Sequence, residues 1–139
     1  MLIIARRPDA IFNAQFWAED GAVWYADAYN VGAFKSLFFP AAGYFQTASR
    51  LTASLTQLLP LSRAPLAFAL VAVAVQALPA NLLISSRFSR LIPRLSVRAL
   101  LAFAYLALPN SAEIHANLTN TQWRLAVITL LVVLAEPSG

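Results

Sequence analysis

The stretch "FWAEDGAVWYADAYNVG", Phe16 to Gly32, sets two adjacent carboxylates, Glu19 and Asp20, among tryptophans and tyrosines. Adjacent carboxylates repel, and an apolar, partly dry setting raises the pKa of at least one of them. Such a pair suits a general base working near neutral pH. It equally suits the start of a helix near Gly21, where negative charge complements the helix dipole. A second polar concentration is "PNSAEIHANLTNTQWR", Pro109 to Arg124. Glu113 and His115 offer an oxygen and a nitrogen to a divalent cation such as Mg or Mn, although two ligands alone do not define a metal site. Asn117, Asn120 and Gln122 add amides beside Trp123. The plainer alternative is a polar turn in which an asparagine caps the next helix and Trp123 anchors at a membrane interface. Asn117-Leu118-Thr119 also matches the short N-glycosylation acceptor pattern. Arg50 is the third candidate: a guanidinium suits a phosphate, or simply snorkels to water.

Composition limits what can hold these groups in place. Of 139 residues, 60% are hydrophobic and only 12% charged, with a mean hydropathy of +0.65. Soluble domains carry about 25% charged residues, so half that fraction points to lipid as the main solvent. Cysteine is absent, which excludes disulfides, thiol chemistry and Cys-bearing metal sites. His115 is the single histidine, so an all-histidine metal cage within this chain is excluded as well.

The elements follow from charge-free runs. Ala64 to Ser86 is 23 residues without a charge, between Arg63 and Arg87. As a helix it measures about 34 Å, enough for a ~30 Å hydrocarbon core. Pro65 suits its first turn, Pro79 predicts a kink, and Asn81 is expected to face another helix. Ala99 to Ala112 is a shorter run of 14 residues and predicts a short span over 97–112. Leu125 to Ala135, extended to 118–136, predicts a third. Between the first two spans, "RFSRLIPRLSVR" carries Arg87, Arg90, Arg94 and Arg98 without an acid. The positive-inside rule puts this 87–98 loop in the cytoplasm, and a loop so confined is not expected to bind nucleic acid. Residues 1–63 and the 113–119 turn then share the opposite face, with Glu19, Asp20, Glu113 and His115 on one side. Within 46–59, Leu51, Leu55, Leu58 and Leu59 form one apolar stripe, opposite Thr, Ser, Gln and Arg50, which predicts an interfacial amphipathic helix. The fold class is all-α: a polytopic helical membrane protein. Nothing before residue 64 reads as an anchor, so the expectation is a piece of a longer multi-span protein.

The stretch "AEDGAVWYADAYNVG…FFPAAGY" resembles the first outer loop of GT-C-fold glycosyltransferases, most closely the bacterial mannosyltransferase-like branch. In that family an Asp-Glu-Ala-x-Tyr pattern precedes a Gly- and Pro-rich loop. The resemblance places the family's catalytic aspartate on Asp20, with Ala22 and Trp24 at the alanine and aromatic positions. The family's second acid falls on Gly21, a departure that leaves Glu19 as its substitute. The family's second outer acidic motif falls at Glu113 and His115, where a histidine replaces an acid. The resemblance implies an enzyme of the bacterial inner membrane that uses a polyprenyl-phosphate-linked sugar donor and a lipid or glycan acceptor on the non-cytoplasmic face. Asp20 or Glu19 would deprotonate the acceptor hydroxyl. Arg50, Tyr44, Trp24, Asn117, Asn120, Gln122 and Trp123 would bind substrate among membrane lipids. Rivals from other classes are a transporter or flippase subunit whose path is lined by Gln76, Asn81 and Asn110, with Pro79 breaking a helix near the binding site, and a multi-span membrane protein without chemistry.

Overall fold

The computed structural model describes residues 1–109 and 112–135. Every regular element among them is helical, apart from a lone antiparallel bridge between Ala41 and Tyr44. Asn110 and the end of the predicted 118–136 span lie outside the described residues. Three long helices form the frame: α6 (Ala64–Ile84), α7 (Leu95–Ala107) and α8 (Thr121–Leu134). Around them lie the short helices α1 (Leu2–Arg6), α2 (Asp9–Phe12), α3 (Ala26–Val31), α4 (Ala33–Ser36) and α5 (Thr47–Thr56).

Helix α6 is central and packs against both α7 and α8. With the 3-10 turn Leu61–Arg63 it makes a 24-residue helix containing an 18-residue window of mean hydropathy 2.1, long and apolar enough to cross a membrane by length and composition. Pro65 lies in its first turn, and helical structure continues through the buried Pro79. Its buried side is largely small, with Ala64, Ala69, Ala72 and Ala80, the residue type that lets helices approach closely. The outward faces are apolar: Leu70 and Val71 on α6, Leu100 and Phe103 on α7, and Leu130 and Val133 on α8 are all exposed.

Helix α1 runs beside α6 and α7. The Arg6 guanidinium at its end donates to the Leu106 and Leu108 carbonyls at 2.7 and 2.6 Å. These are among the last carbonyls of α7, which lack partners within their own helix. Asn81 is exposed and lines the same groove as Met1 and Ile3.

Helix α5 is oriented by its polar side. Ser49, Arg50, Thr52 and Thr56 are buried, whereas Leu51 and Leu55 are exposed. The stripe expected from sequence is therefore present, but it is the polar face that packs inward. Ser54 holds α4 in place by donating to the Ala33 carbonyl at 2.6 Å.

Candidate functional site

Asp20 opens a π-helical segment, Asp20–Tyr25, that runs directly into α3, and Glu19 is the residue just before it. Short π segments widen a helix and recur at functional sites. Gly21 is a steric necessity here. A Cβ at that position would lie 2.7 Å from Phe16 Cβ, because Phe16 packs edge-on against Phe68 and tilted against Tyr25. Position 21 therefore has no room for the second acid of the Asp-Glu-Ala pattern.

Asp20 is buried, and both its oxygens are engaged. The Leu118 N–H donates to Oδ2 at 3.0 Å. The Thr119 N–H and Thr119 hydroxyl each donate to Oδ1 at 2.8 Å. Burial raises the Asp20 pKa above the usual carboxylate value; these hydrogen bonds act against that, and the charge of Glu19 adds to it. Trp24, one turn on, donates its indole N–H to Thr119 Oγ1 at 3.1 Å. The first acidic stretch and the α7–α8 connection, almost a hundred residues apart, thus meet at Thr119.

Beside this meeting point lies a cavity of about 260 Å³ lined by Glu19, Trp24, Tyr44, Gln46, Thr119 and Gln122, among others. The turn that carries Tyr44 is shaped by left-handed backbone at Ala42 (φ 52°) and Gly43 (φ 85°). Gln46 Nε2 donates to the Tyr44 hydroxyl at 3.3 Å. Glu19 is exposed and reaches the cavity directly; Asp20 lies behind Thr119. The Gln122 Oε1 is buried without a hydrogen-bond partner.

Other residues singled out by sequence lie elsewhere. Arg50 is buried and ion-paired to Asp27 at 3.0 Å. Its guanidinium carbon lies 5.0 Å from the Trp24 ring centroid and 5.9 Å from that of Phe39. It braces the cavity wall from behind and is not exposed to a phosphate. Trp123 points outward from α8, 65% exposed. Asn117 is buried; its Nδ2 donates to the Glu113 carbonyl, and its Oδ1 accepts from the Asn120 N–H and side chain at 3.2 and 3.0 Å. Asn117 and Asn120 therefore shape the turn, and the glycosylation pattern there has no accessible asparagine.

The Glu113–His115 pair does not fit a metal. Glu113 is exposed, while both ring nitrogens of the buried His115 are already bound. Its Nε2–H donates to the Ile3 carbonyl at 3.1 Å, and its Nδ1 accepts from Gln76 Nε2 at 2.9 Å. The Gln76 amide is oriented by the Ala116 N–H, which donates to Oε1 at 3.1 Å. This set requires a neutral imidazole, and burial accordingly holds the His115 pKa below the usual histidine value, with Arg6, Arg124 and Arg7 adding to the effect. No cluster of three His, Cys, Asp or Glu exists among the described residues.

Sequence reasoning did not select Thr119, Gln46 or Ser49. Ser49 donates to the Leu118 carbonyl at 3.1 Å and ties α5 to the same loop. The one signal for Thr119 was its place in the acceptor tripeptide, which points to a different chemistry. Comparisons with protein-family models, curated proteins and solved structures return no match.

Proposed function

We propose that this chain forms the catalytic face of an integral-membrane glycosyltransferase, which moves a sugar from a polyprenyl-phosphate donor to an acceptor hydroxyl. The observation that carries this reading is the convergence at one cavity. Glu19 and Trp24 from the first polar stretch, and Tyr44 from the turn that follows it, meet Thr119 and Gln122 from the second, with the carboxylate of Asp20 directly behind Thr119. Carboxylates supply a base for the incoming hydroxyl, tyrosine and tryptophan give an apolar surface for a sugar face, and the amides offer hydrogen bonds to its hydroxyls.

A lipid-linked donor needs the site at a membrane boundary. In this reading α6, α7 and α8 cross the bilayer, with the arginines from Arg87 to Arg98 at the cytoplasmic end and the cavity at the other. In support, the outward faces of all three helices are apolar. Helices α7 and α8 measure about 20 Å and need their flanking turns or local thinning of the bilayer to span it. The exposed leucines of α5 lie in the interface, and its polar face holds the cavity wall. Catalysis is a single displacement at the anomeric carbon: the acceptor oxygen attacks, its proton passes to the acidic pair, and the lipid phosphate departs with the bonding electrons.

The test is transfer of radiolabelled hexose from synthetic polyprenyl-phosphate donors in membranes containing the protein, against Asp20→Asn and Glu19→Gln. The reading requires transfer by the parent and a loss of at least tenfold in one of the two variants at equal expression. Full transfer by both would remove the acids from the chemistry.

A further inference from the structure

Asp20 is desolvated and has no direct face on the cavity, while Glu19 is exposed to it. A buried carboxylate can still take a proton from the cavity if a hydroxyl stands between them, accepting on one side and donating on the other. Thr119 stands there. Its Oγ1–H donates to Asp20 Oδ1 at 2.8 Å, and its residue lines the cavity together with Glu19 and Gln122. A hydroxyl oxygen has two acceptor sites. The Trp24 indole N–H occupies one at 3.1 Å, which fixes the rotor so that its proton points at Asp20. The second acceptor site is left for a ligand hydroxyl.

We propose that Thr119 is a catalytic relay, through which the acceptor hydroxyl loses its proton to Asp20. This rests on the transferase reading above and names the route within it. The acceptor O–H proton moves to Thr119 Oγ1 as the Thr119 proton moves to Asp20 Oδ1. The acceptor oxygen bonds to the anomeric carbon, and the carbon–oxygen bond to the lipid phosphate breaks with its electron pair on the phosphate. Charge is conserved: the carboxylate becomes a carboxylic acid, and the phosphodiester becomes a phosphomonoester that carries the released charge. The raised pKa of Asp20 suits the receiving end, since a more basic carboxylate takes a proton more readily.

The geometry also supplies a clean variant. Thr119→Val removes the hydroxyl at constant shape and leaves the two backbone N–H bonds from Leu118 and Thr119 to Asp20 in place. Thr119→Ser keeps the hydroxyl and loses only a methyl group. The assay follows release of polyprenyl phosphate from short-chain polyprenyl-phosphate hexoses (glucose, mannose and galactose) by the purified protein in nanodiscs of membrane lipid with short oligosaccharides added, so that lipid and glycan acceptor hydroxyls are both present. The relay predicts that Thr119→Val lowers kcat about 100-fold or more, changes KM less than threefold, and is rescued to within fivefold by Thr119→Ser. Equal loss in both variants, or a loss confined to KM, overturns the relay in favour of a structural role. Wild-type turnover by Thr119→Val also overturns it, routes the proton elsewhere, and leaves the transferase reading standing. Absence of turnover by the parent with all three donors removes both.

Discussion

The molecule has two polar connections between its long helices, and they are built in opposite ways. The α7–α8 connection is held from across the whole chain: Asp20, Ser49 and Gln76 reach it with their side chains, and the Arg7 guanidinium donates to the His115 carbonyl at 2.9 Å. Those partners are separated from it by between 39 and 108 residues in sequence. The α6–α7 connection holds four arginines in the stretch Arg87–Arg98, but the contact that closes it is short-range. Arg98 donates to the Ile84 carbonyl at 3.0 Å, 14 residues away, and to the Ser85 carbonyl beside it. The first arrangement fixes a geometry that only the full tertiary structure can assemble, as a site requires. The second closes the end of α6 with a neighbouring cation, which suits a helix C-terminus. Density of polar residues does not separate the two; the sequence distance spanned by the Arg98 contacts, set against that spanned by Asp20, Ser49, Gln76 and Arg7, does.

The strongest way to break the comparison is Asp20→Ala. It removes the acceptor of three hydrogen bonds and leaves two backbone N–H groups without their partner in the interior. The expected cost is about 2–4 kcal/mol, read as a lowered unfolding midpoint in detergent, together with new protease sensitivity around Asn117–Asn120. Unchanged protease resistance of that loop would mean that Asp20 does not hold it. Next comes Arg50→Leu. Here the loss is the Asp27 hydrogen bond and the contact with the Trp24 ring; Asp27, partly exposed, can rehydrate and limit the damage. About 2–3 kcal/mol is expected, with Trp24 emission shifted as its ring loses the cation. Arg50→Lys should recover only part of this, since an ammonium lacks the planar stacking face.

Arg98→Leu sharpens the contrast from the other end. It leaves the Ile84 and Ser85 carbonyls near the end of a helix, where water can replace the guanidinium. About 1–2 kcal/mol is expected, with the 113–121 loop undisturbed. A larger loss than that of Asp20→Ala would reverse the ranking of the two connections.

What the sequence discloses follows the same division. Helices α6, α7 and α8 and the amphipathic α5 come from local periodicity and runs without charge, and a helix start near Gly21 comes from the carboxylates that complement it; the structure begins that helix at Asp20. The convergence of Glu19, Trp24, Tyr44 and Gln122 on one cavity was suggested only by a shared side of the chain, because no local pattern records that residue 20 will meet residues 118 and 119. Arg50 shows the limit best. Its position opposite the leucine stripe agrees with the sequence reading, yet the polar face of an interfacial helix is expected to meet water or a headgroup. In this fold that face turns inward, so a residue expected at a headgroup is instead clamped between Trp24 and Phe39. His115 was illegible for another reason: Gln76 and the Ile3 carbonyl, its two partners, lie 39 and 112 residues away.

The smallest expected effect concerns that histidine and its pH dependence. Burial lowers its pKa below the unfolded value of 6.5, and the nearby cations Arg6, Arg124 and Arg7 lower it further. Below 6.5 the unfolded chain takes up a proton that the folded protein still refuses. The contribution of the neutral imidazole is therefore complete above that pH and shrinks as pH falls below it, until the folded protein also accepts the proton. This group lowers the unfolding midpoint as pH falls below 6.5, whereas Asp20, whose pKa is raised, acts in the opposite direction; the midpoint of His115→Gln should therefore fall less, or rise more, than that of the parent between pH 7 and pH 5. Gln76→Leu should do the reverse of a repair: it strands the Ala116 N–H and the His115 Nδ1 together, lowering the midpoint at neutral pH. A slope untouched by His115→Gln would leave the imidazole without the neutral, doubly bonded role that its partners impose.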